Sequence, residues 1–234
     1  MKSLMLIIGI SSLIILSSFQ SSKTTKMQLY PAIVAYIQTA EKGIAAIPAE
    51  RKTQLDSITT YVKQKINKGQ IANLIFICTH NSRRSHTAQL WAAAAAAYYG
   101  VDGVANYSGG TEITAFNLSA IKALTDAGFS IEVATPGKNP VFEVKLGNNL
   151  PAIPAFSKKY MDEPNPAKDF AAVMTCSHAD ESCPFVAGAD GRIAIPYEDP
   201  KAFDGTPRQD AAYKERCLQI ATEMLYVFGQ LKKN

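Results

Sequence analysis

Residues 72–91, ANLIFICTHNSRRSHTAQLW, constrain this chain more than any other stretch. An apolar run of branched and aromatic residues, Leu74 to Ile77, ends abruptly at Cys78. After the polar residues 79–84 a long Ala-rich helical pattern begins, so the segment reads strand, loop, helix. Cys78 is thereby expected at the C-terminal end of a buried strand, where α/β folds bind their ligands.

Five residues, Thr79 to Arg83, separate Cys78 from Arg84, a length that can wrap one tetrahedral oxyanion. Backbone N–H groups from Thr79, His80, Asn81, Ser82, Arg83, Arg84 and Ser85 would point inward, and the helix starting near Ser85 would add its positive dipole end. The Arg84 guanidinium can take two oxyanion oxygens at once, in a fork that lysine cannot reproduce. The same dipole and cation favour Cys78 as a thiolate, and a thiolate beside a bound oxyanion is a nucleophile aimed at its central atom. The competing reading is an inert buried cysteine followed by a basic turn. The strand-to-helix junction and the Asn-Ser-Arg-Arg-Ser filling weigh against it.

The rest of the chain repeats the strand–helix alternation. Residues 28–43 and 49–68 carry helical spacing (Leu29, Ile33, Tyr36, Ile37; Leu55, Ile58, Val62, Ile66), with Pro48 suited to a helix start. The predicted helix Ser85–Tyr99 includes an alanine run at 92–97 and stops at Gly100. A strand at Val104–Tyr107, a helix at Ser119–Ala127, buried strands at Phe170–Thr175 and Arg192–Ile195, and a final helix at about Ala211–Leu231 follow. This order predicts an α/β fold: a four-stranded parallel sheet flanked by helices, with an N-terminal helical extension. Residues 1–26 read as a signal peptide or extension, 27–70 as a helical cap, and 71–234 as the α/β domain. Within that domain 137–168 reads as an insertion beside the site, a hairpin or edge extension with Lys158, Lys159 and Tyr160 at its end, where charged groups are expected to be solvated rather than ligand-binding. Cys176 ends its strand as Cys78 does, so it should open onto the same edge. Asp199, after a strand and before Pro200, is placed where a carboxylic acid could protonate a leaving oxygen.

CTHNSRRS resembles the Cys-x-x-Asn-Ser-x-Arg-Ser loop of the low-molecular-weight protein tyrosine phosphatase superfamily, and the likeness is greatest to the thioredoxin-coupled arsenate reductases. The resemblance implies Cys78 as nucleophile, Arg84 as oxyanion clamp, Ser85 as hydroxyl donor to the thiolate and Asn81 as the residue that shapes the loop. His80 and Arg83 depart from the pattern, where small or cysteine residues are common, and His80 reads as a pocket wall. SGGTE, Ser108 to Glu112, is similar to the segment supporting that loop, which implies Ser108 as a partner of Asn81, and Asp199-Pro200 resembles the family's general-acid loop. MTCSHADESCP is similar to the segment that supplies the second and third cysteines of the reductases. The implied relay has Cys176 attacking Cys78 and Cys183 then taking over the disulfide for an external reductant such as thioredoxin.

Two activities stay open at this level. One is thiol-coupled reduction of arsenate through Cys78, Cys176 and Cys183. The other is phosphomonoester hydrolysis through Cys78, Arg84 and Asp199. A non-catalytic oxyanion-binding module is disfavoured by the intact Cys and Arg. The His178, His80 and His86 positions match no common zinc spacing, so neither a metal nor a resident cofactor is expected. Cys217 reads as structural and His86 as a solvated first-turn residue.

The expected partners are a small oxyanion or phosphomonoester and a thioredoxin-like reductant, with the chain a monomer. The net charge of +4 does not argue for nucleic acid. Lys2, Lys23 and Lys26 lie in an opening segment without acids and leave the remainder close to neutral. The apolar run Leu4 to Leu16 is short for a membrane span. It fits a secretory signal cleaved near Gln20, with an uncleaved anchor or a cytoplasmic chain starting at Met27 as the alternatives. An exported protein could not draw on a cytosolic thioredoxin.

Overall fold

The computed structural model describes residues 28–182 and 185–232. The apolar run at Leu4–Leu16 and Cys183 therefore lie outside the described residues. In chain order the elements are α1 (Pro31–Glu41), α2 (Ala49–Asn67), β1 (Ala72–Cys78), α3 (Arg84–Tyr99), β2 (Val104–Gly110), α4 (Leu118–Asp126) and β3 (Ser130–Thr135). They continue with β4 (Val141–Lys145), β5 (Ile153–Ala155), β6 (Phe170–Met174), α5 (Ser177–Ser182), β7 (Ala189–Ala194) and α6 (Gln209–Gly229).

Four strands form one parallel sheet in the order β2-β1-β6-β7. β1 lies inside this sheet with its apolar side chains covered on both faces, which is why LIFI reads as a continuous apolar run rather than an alternation. Register then sets the site. Cys78 is opposite Gly110, and Ile77 is opposite Met174, so the residues after β6, Thr175 and Cys176, emerge at the same sheet edge as Cys78.

The alanine run lets α3 lie buried along most of its length against α6 and β2. Trp91 fills the largest core position, stacked on Tyr36 (centroids 5.1 Å) and edge-on to Phe129 (5.0 Å). Its Nε1–H donates to the Cys217 sulfur at 3.2 Å, and burial pushes that thiol up to about 11. Cys217 is accordingly a core residue, set among apolar neighbours. Gly100, at φ +65°, closes α3 in the left-handed conformation that favours glycine.

α1 and α2 do not stand apart from the sheet domain. Ile33, Ile37, Leu55, Ile58 and Val62 belong to the same buried core as Leu74, Phe76 and Leu225, with α1 packed on α6 and α2 on both α6 and β1. No helix among the described residues is long and apolar enough to cross a membrane.

Two elements depart from the sequence reading. The hairpin expected after Gly137 is β4–β5, but β3 pairs antiparallel with β4 to make a separate three-stranded sheet, not an edge extension of the main one. Most β3 side chains are exposed, so it carries no burial alternation for a sequence reading to find. The short α5, after Cys176, has no counterpart in the sequence reading.

Candidate active site

Residues 79–83 form a tight loop between β1 and α3. Asn81 sits at φ +44°, a left-handed conformation that asparagine tolerates better than most side chains. The Asn81 amide Nδ2 donates to Ser85 Oγ at 2.9 Å, and Ser85 Oγ lies 3.1 Å from Cys78 Sγ. Asn81 Oδ1 in turn accepts the Lys158 backbone N–H at 3.0 Å. One side chain thus ties the hydroxyl partner of Cys78 to the segment that follows β5.

The loop's carbonyls are turned outward. Thr79 O accepts from Thr111 N (2.9 Å) and Glu112 N (2.8 Å), His80 O from Ser157 Oγ (2.8 Å), and Ser82 O from Asn117 N (2.9 Å). In a planar trans peptide the next N–H points opposite to each carbonyl, which aims the His80, Asn81 and Arg83 N–H groups to the other side of the loop. Among the described residues none of the N–H groups from 79 to 83 has an intramolecular acceptor. Gly110 makes this wrapping possible, because a Cβ there would stand 2.7 Å from Asn81 N, Thr79 O and Glu112 O.

Arg84 opens α3 and reaches the loop after β7. Its Nη1 donates to Tyr197 O at 2.9 Å and its Nη2 to Asp199 Oδ2 at 2.7 Å, while its buried Nε has no partner. Clamp and acid candidates are therefore one ion pair, with the guanidinium held on the acid loop. Asp199 Oδ1 also accepts Lys201 N at 3.1 Å, capping the short 3-10 turn that begins at Pro200. Arg83 turns to Tyr213 Oη (2.7 Å) and Asp204 (3.2 Å). His80, 3.3 Å from Glu112, lines an open cleft of about 390 Å³ together with Ser82, Arg83, Phe116, Asn117 and Lys201. A larger, apolar cleft of about 470 Å³ lies by the C-terminal end of α3 and β5, with no residue of the loop in its lining.

Cys176 is buried beside the loop. Its sulfur lies 3.5 Å from Thr79 Oγ1 and accepts Ala179 N at 3.3 Å, and Thr79 Oγ1 is also 3.4 Å from His178 Nδ1. Cys78, Cys176 and Cys217 are all free thiols.

Three sequence readings are corrected here. Ser108 does not partner Asn81; its hydroxyl lies 3.1 Å from His86 Nδ1 and its carbonyl accepts Asn165 Nδ2 at 3.0 Å. His86 is not solvated but fully buried, stacked on Phe116 with centroids 4.1 Å apart. Burial first, and the nearby Lys158 charge second, hold its imidazole well below the usual histidine range, so it sits neutral under the loop. Lys158, expected at the surface, is also buried, with its ammonium 4.9 Å from the Phe156 ring centre. The Asn81 side chain that takes the Lys158 backbone N–H lies 77 residues back, so the SKKYM stretch carries no periodic signal of it. Tyr197 was missed as well, although an aromatic residue just before Glu-Asp-Pro was a visible cue.

Burial pulls the Lys158 ammonium down to about 8, with Asp162 partly opposing the shift. The unfolded lysine titrates near 10.5, so between these values the folded state binds fewer protons. Its burden on stability is full below pH 8 and fades as pH rises to about 10.5. Lys158→Met is expected to raise unfolding free energy at pH 7 by up to about 3 kcal/mol. That gain over the parent should shrink in urea titrations taken towards pH 10.5; a gain independent of pH would show that the lysine charge is not the cause.

No family model matches the chain. It is 28% identical over 127 residues to an arsenate reductase of Bacillus cereus, covering 54% of this chain and 75% of the relative. It is 27% identical over 160 residues to an arsenate reductase of Bacillus subtilis, covering 68% of this chain and 96% of the relative. Among solved structures, a low-molecular-weight protein tyrosine phosphatase from T. tengcongensis aligns over 68% of this chain and 99% of its own, at 16% identity and a TM-score of 0.47.

Proposed function

From its sequence kinship with the arsenate reductases and its resemblance to the low-molecular-weight protein tyrosine phosphatase superfamily, we propose that this chain is a thiol-dependent arsenate reductase. Cys78 attacks arsenate bound by the loop N–H groups and Arg84, and Asp199 delivers the proton with which an arsenate oxygen leaves as water. The Cys176 thiolate then attacks the Cys78 sulfur. The S–As bond breaks with its electron pair going to arsenic, which leaves as arsenite, and a Cys78–Cys176 disulfide remains. Cys183, seven residues beyond Cys176, attacks Cys176 and frees Cys78, and a thioredoxin-type dithiol reduces the Cys176–Cys183 disulfide. The net change is one arsenate and one dithiol converted to arsenite, water and a disulfide.

The observation that carries this reading over simple hydrolysis is the free Cys176 thiol held against Thr79, the residue next to the nucleophile. Water can release a cysteinyl phosphate without a second sulfur. The Arg84–Asp199 pair serves either reaction, and it supports phosphomonoester hydrolysis as the second reading.

The separating measurement is arsenate-dependent thioredoxin oxidation by the purified protein and by its Cys176→Ser and Cys183→Ser variants. Both variants should lose turnover by about a hundredfold or more, since each interrupts an obligatory exchange. Parental turnover in both would defeat the relay. Hydrolysis of p-nitrophenyl phosphate that is fast and indifferent to either change would establish the phosphatase instead.

A further inference from the structure

Arg51 lies on α2, within the helical extension that precedes the sheet, yet its guanidinium reaches the strand edge that carries the acid loop. Nε donates to both Glu223 oxygens at 3.1 Å, Nη2 to Glu223 Oε2 at 2.8 Å and to Ile195 O at 3.3 Å, and Nη1 to Gln54 Oε1 at 2.9 Å. Its Cζ stands 4.8 Å from the centre of the Tyr197 ring. The pair is mostly enclosed, with side-chain exposures of 14% for Arg51 and 4% for Glu223. A bidentate fork, a stacked face and a backbone carbonyl together use what only arginine offers.

The other end of this arrangement is the site. Ile195 N donates to Met174 O at 2.9 Å and Tyr197 N to Thr175 O at 3.1 Å, so β6 anchors one side of the segment 195–197. Arg51 anchors the other side through Ile195 O and the Tyr197 ring. Tyr197 O then receives Arg84 Nη1, two residues before Asp199 receives Arg84 Nη2. The Tyr197 hydroxyl is buried beside Glu223 and Arg51.

We propose that Arg51, braced by Glu223, is a positioning residue: it fixes Tyr197 so that the acid loop presents Asp199 and holds Arg84 in register with the Cys78 loop. This gives the N-terminal helical extension a part in catalysis, and it rests on reading Arg84 and Asp199 as clamp and acid.

The test compares the parent with Arg51→Lys and Arg51→Met, adding an Arg51→Met/Glu223→Gln pair that leaves no lone buried carboxylate should Arg51→Met alone fold poorly. Backbone hydrogen exchange and steady-state arsenate reduction are read on each. In Arg51→Met the amides of Ile195 and Tyr197 should exchange at least about tenfold faster while those of Ile75 and Phe76 stay as in the parent. kcat should fall by about tenfold to a hundredfold, with KM changed far less. Arg51→Lys should fall between the parent and Arg51→Met on both readouts. Unchanged exchange at Ile195 and Tyr197 would overturn the positioning role. Faster exchange there with parental kcat would overturn the proposal through its premise, the role of Asp199.

Discussion

Cys78→Ser is expected to lower turnover by at least about four orders of magnitude, for arsenate reduction and for any phosphomonoester hydrolysis alike, while the protein stays folded. The reason lies in the element that carries the residue. Cys78 ends β1 with its sulfur 3.1 Å from Ser85 Oγ, a hydroxyl held by Asn81 and able to donate to a thiolate. A serine oxygen in the same place keeps that hydrogen bond and the packing of a smaller side chain, so unfolding free energy should move by no more than about 1 kcal/mol. What disappears is the sulfur nucleophile that the proposed reaction needs. The variant should therefore still bind arsenate or phosphate in a calorimetric titration, and only the covalent step should fail. Turnover within about tenfold of the parent would mean that the sulfur is not the nucleophile.

Features written locally in the chain were legible before any coordinates. The LIFI run, the break at Cys78 and the helical pattern from Ser85 fix a strand, a loop and a helix from near neighbours alone, and these elements stand as β1, residues 79–83 and α3. The same holds for β2, β6 and β7, whose parallel pairing brings Cys78 and Cys176 to one edge. Features made by distant partners were not legible. His86 looks like a polar first-turn residue until Phe116 and Ser108 close over it, and Lys158 looks like one of two surface lysines until the Asn81 loop closes on its backbone N–H. Arg51 sits on a helix whose spacing announces only an apolar stripe. Its polar work depends on Glu223, 172 residues away. β3 went unread for a different reason, since a strand with most of its side chains in water has no hydrophobic period.

Arg84→Lys is expected to reduce kcat by about a hundredfold to a thousandfold, the loss typical of removing one oriented oxyanion donor. A lysine keeps the charge but offers a single ammonium, whereas Arg84 spans Tyr197 O and Asp199 with two nitrogens, at 2.9 and 2.7 Å. That geometry also sets the order of events. A bound oxyanion competes with Asp199 for the guanidinium, so anion binding is coupled to release of the Arg84–Asp199 pair. The two residues should therefore behave as one unit. The double variant Arg84→Lys/Asp199→Asn should lose much less than the product of the two single losses, because each single change already breaks the same pair. Pre-steady-state formation of the cysteinyl adduct, measured on the parent, both single variants and the double, gives the coupling directly. Strict multiplication of the two losses would show that the ion pair of the free site has no part in the reaction.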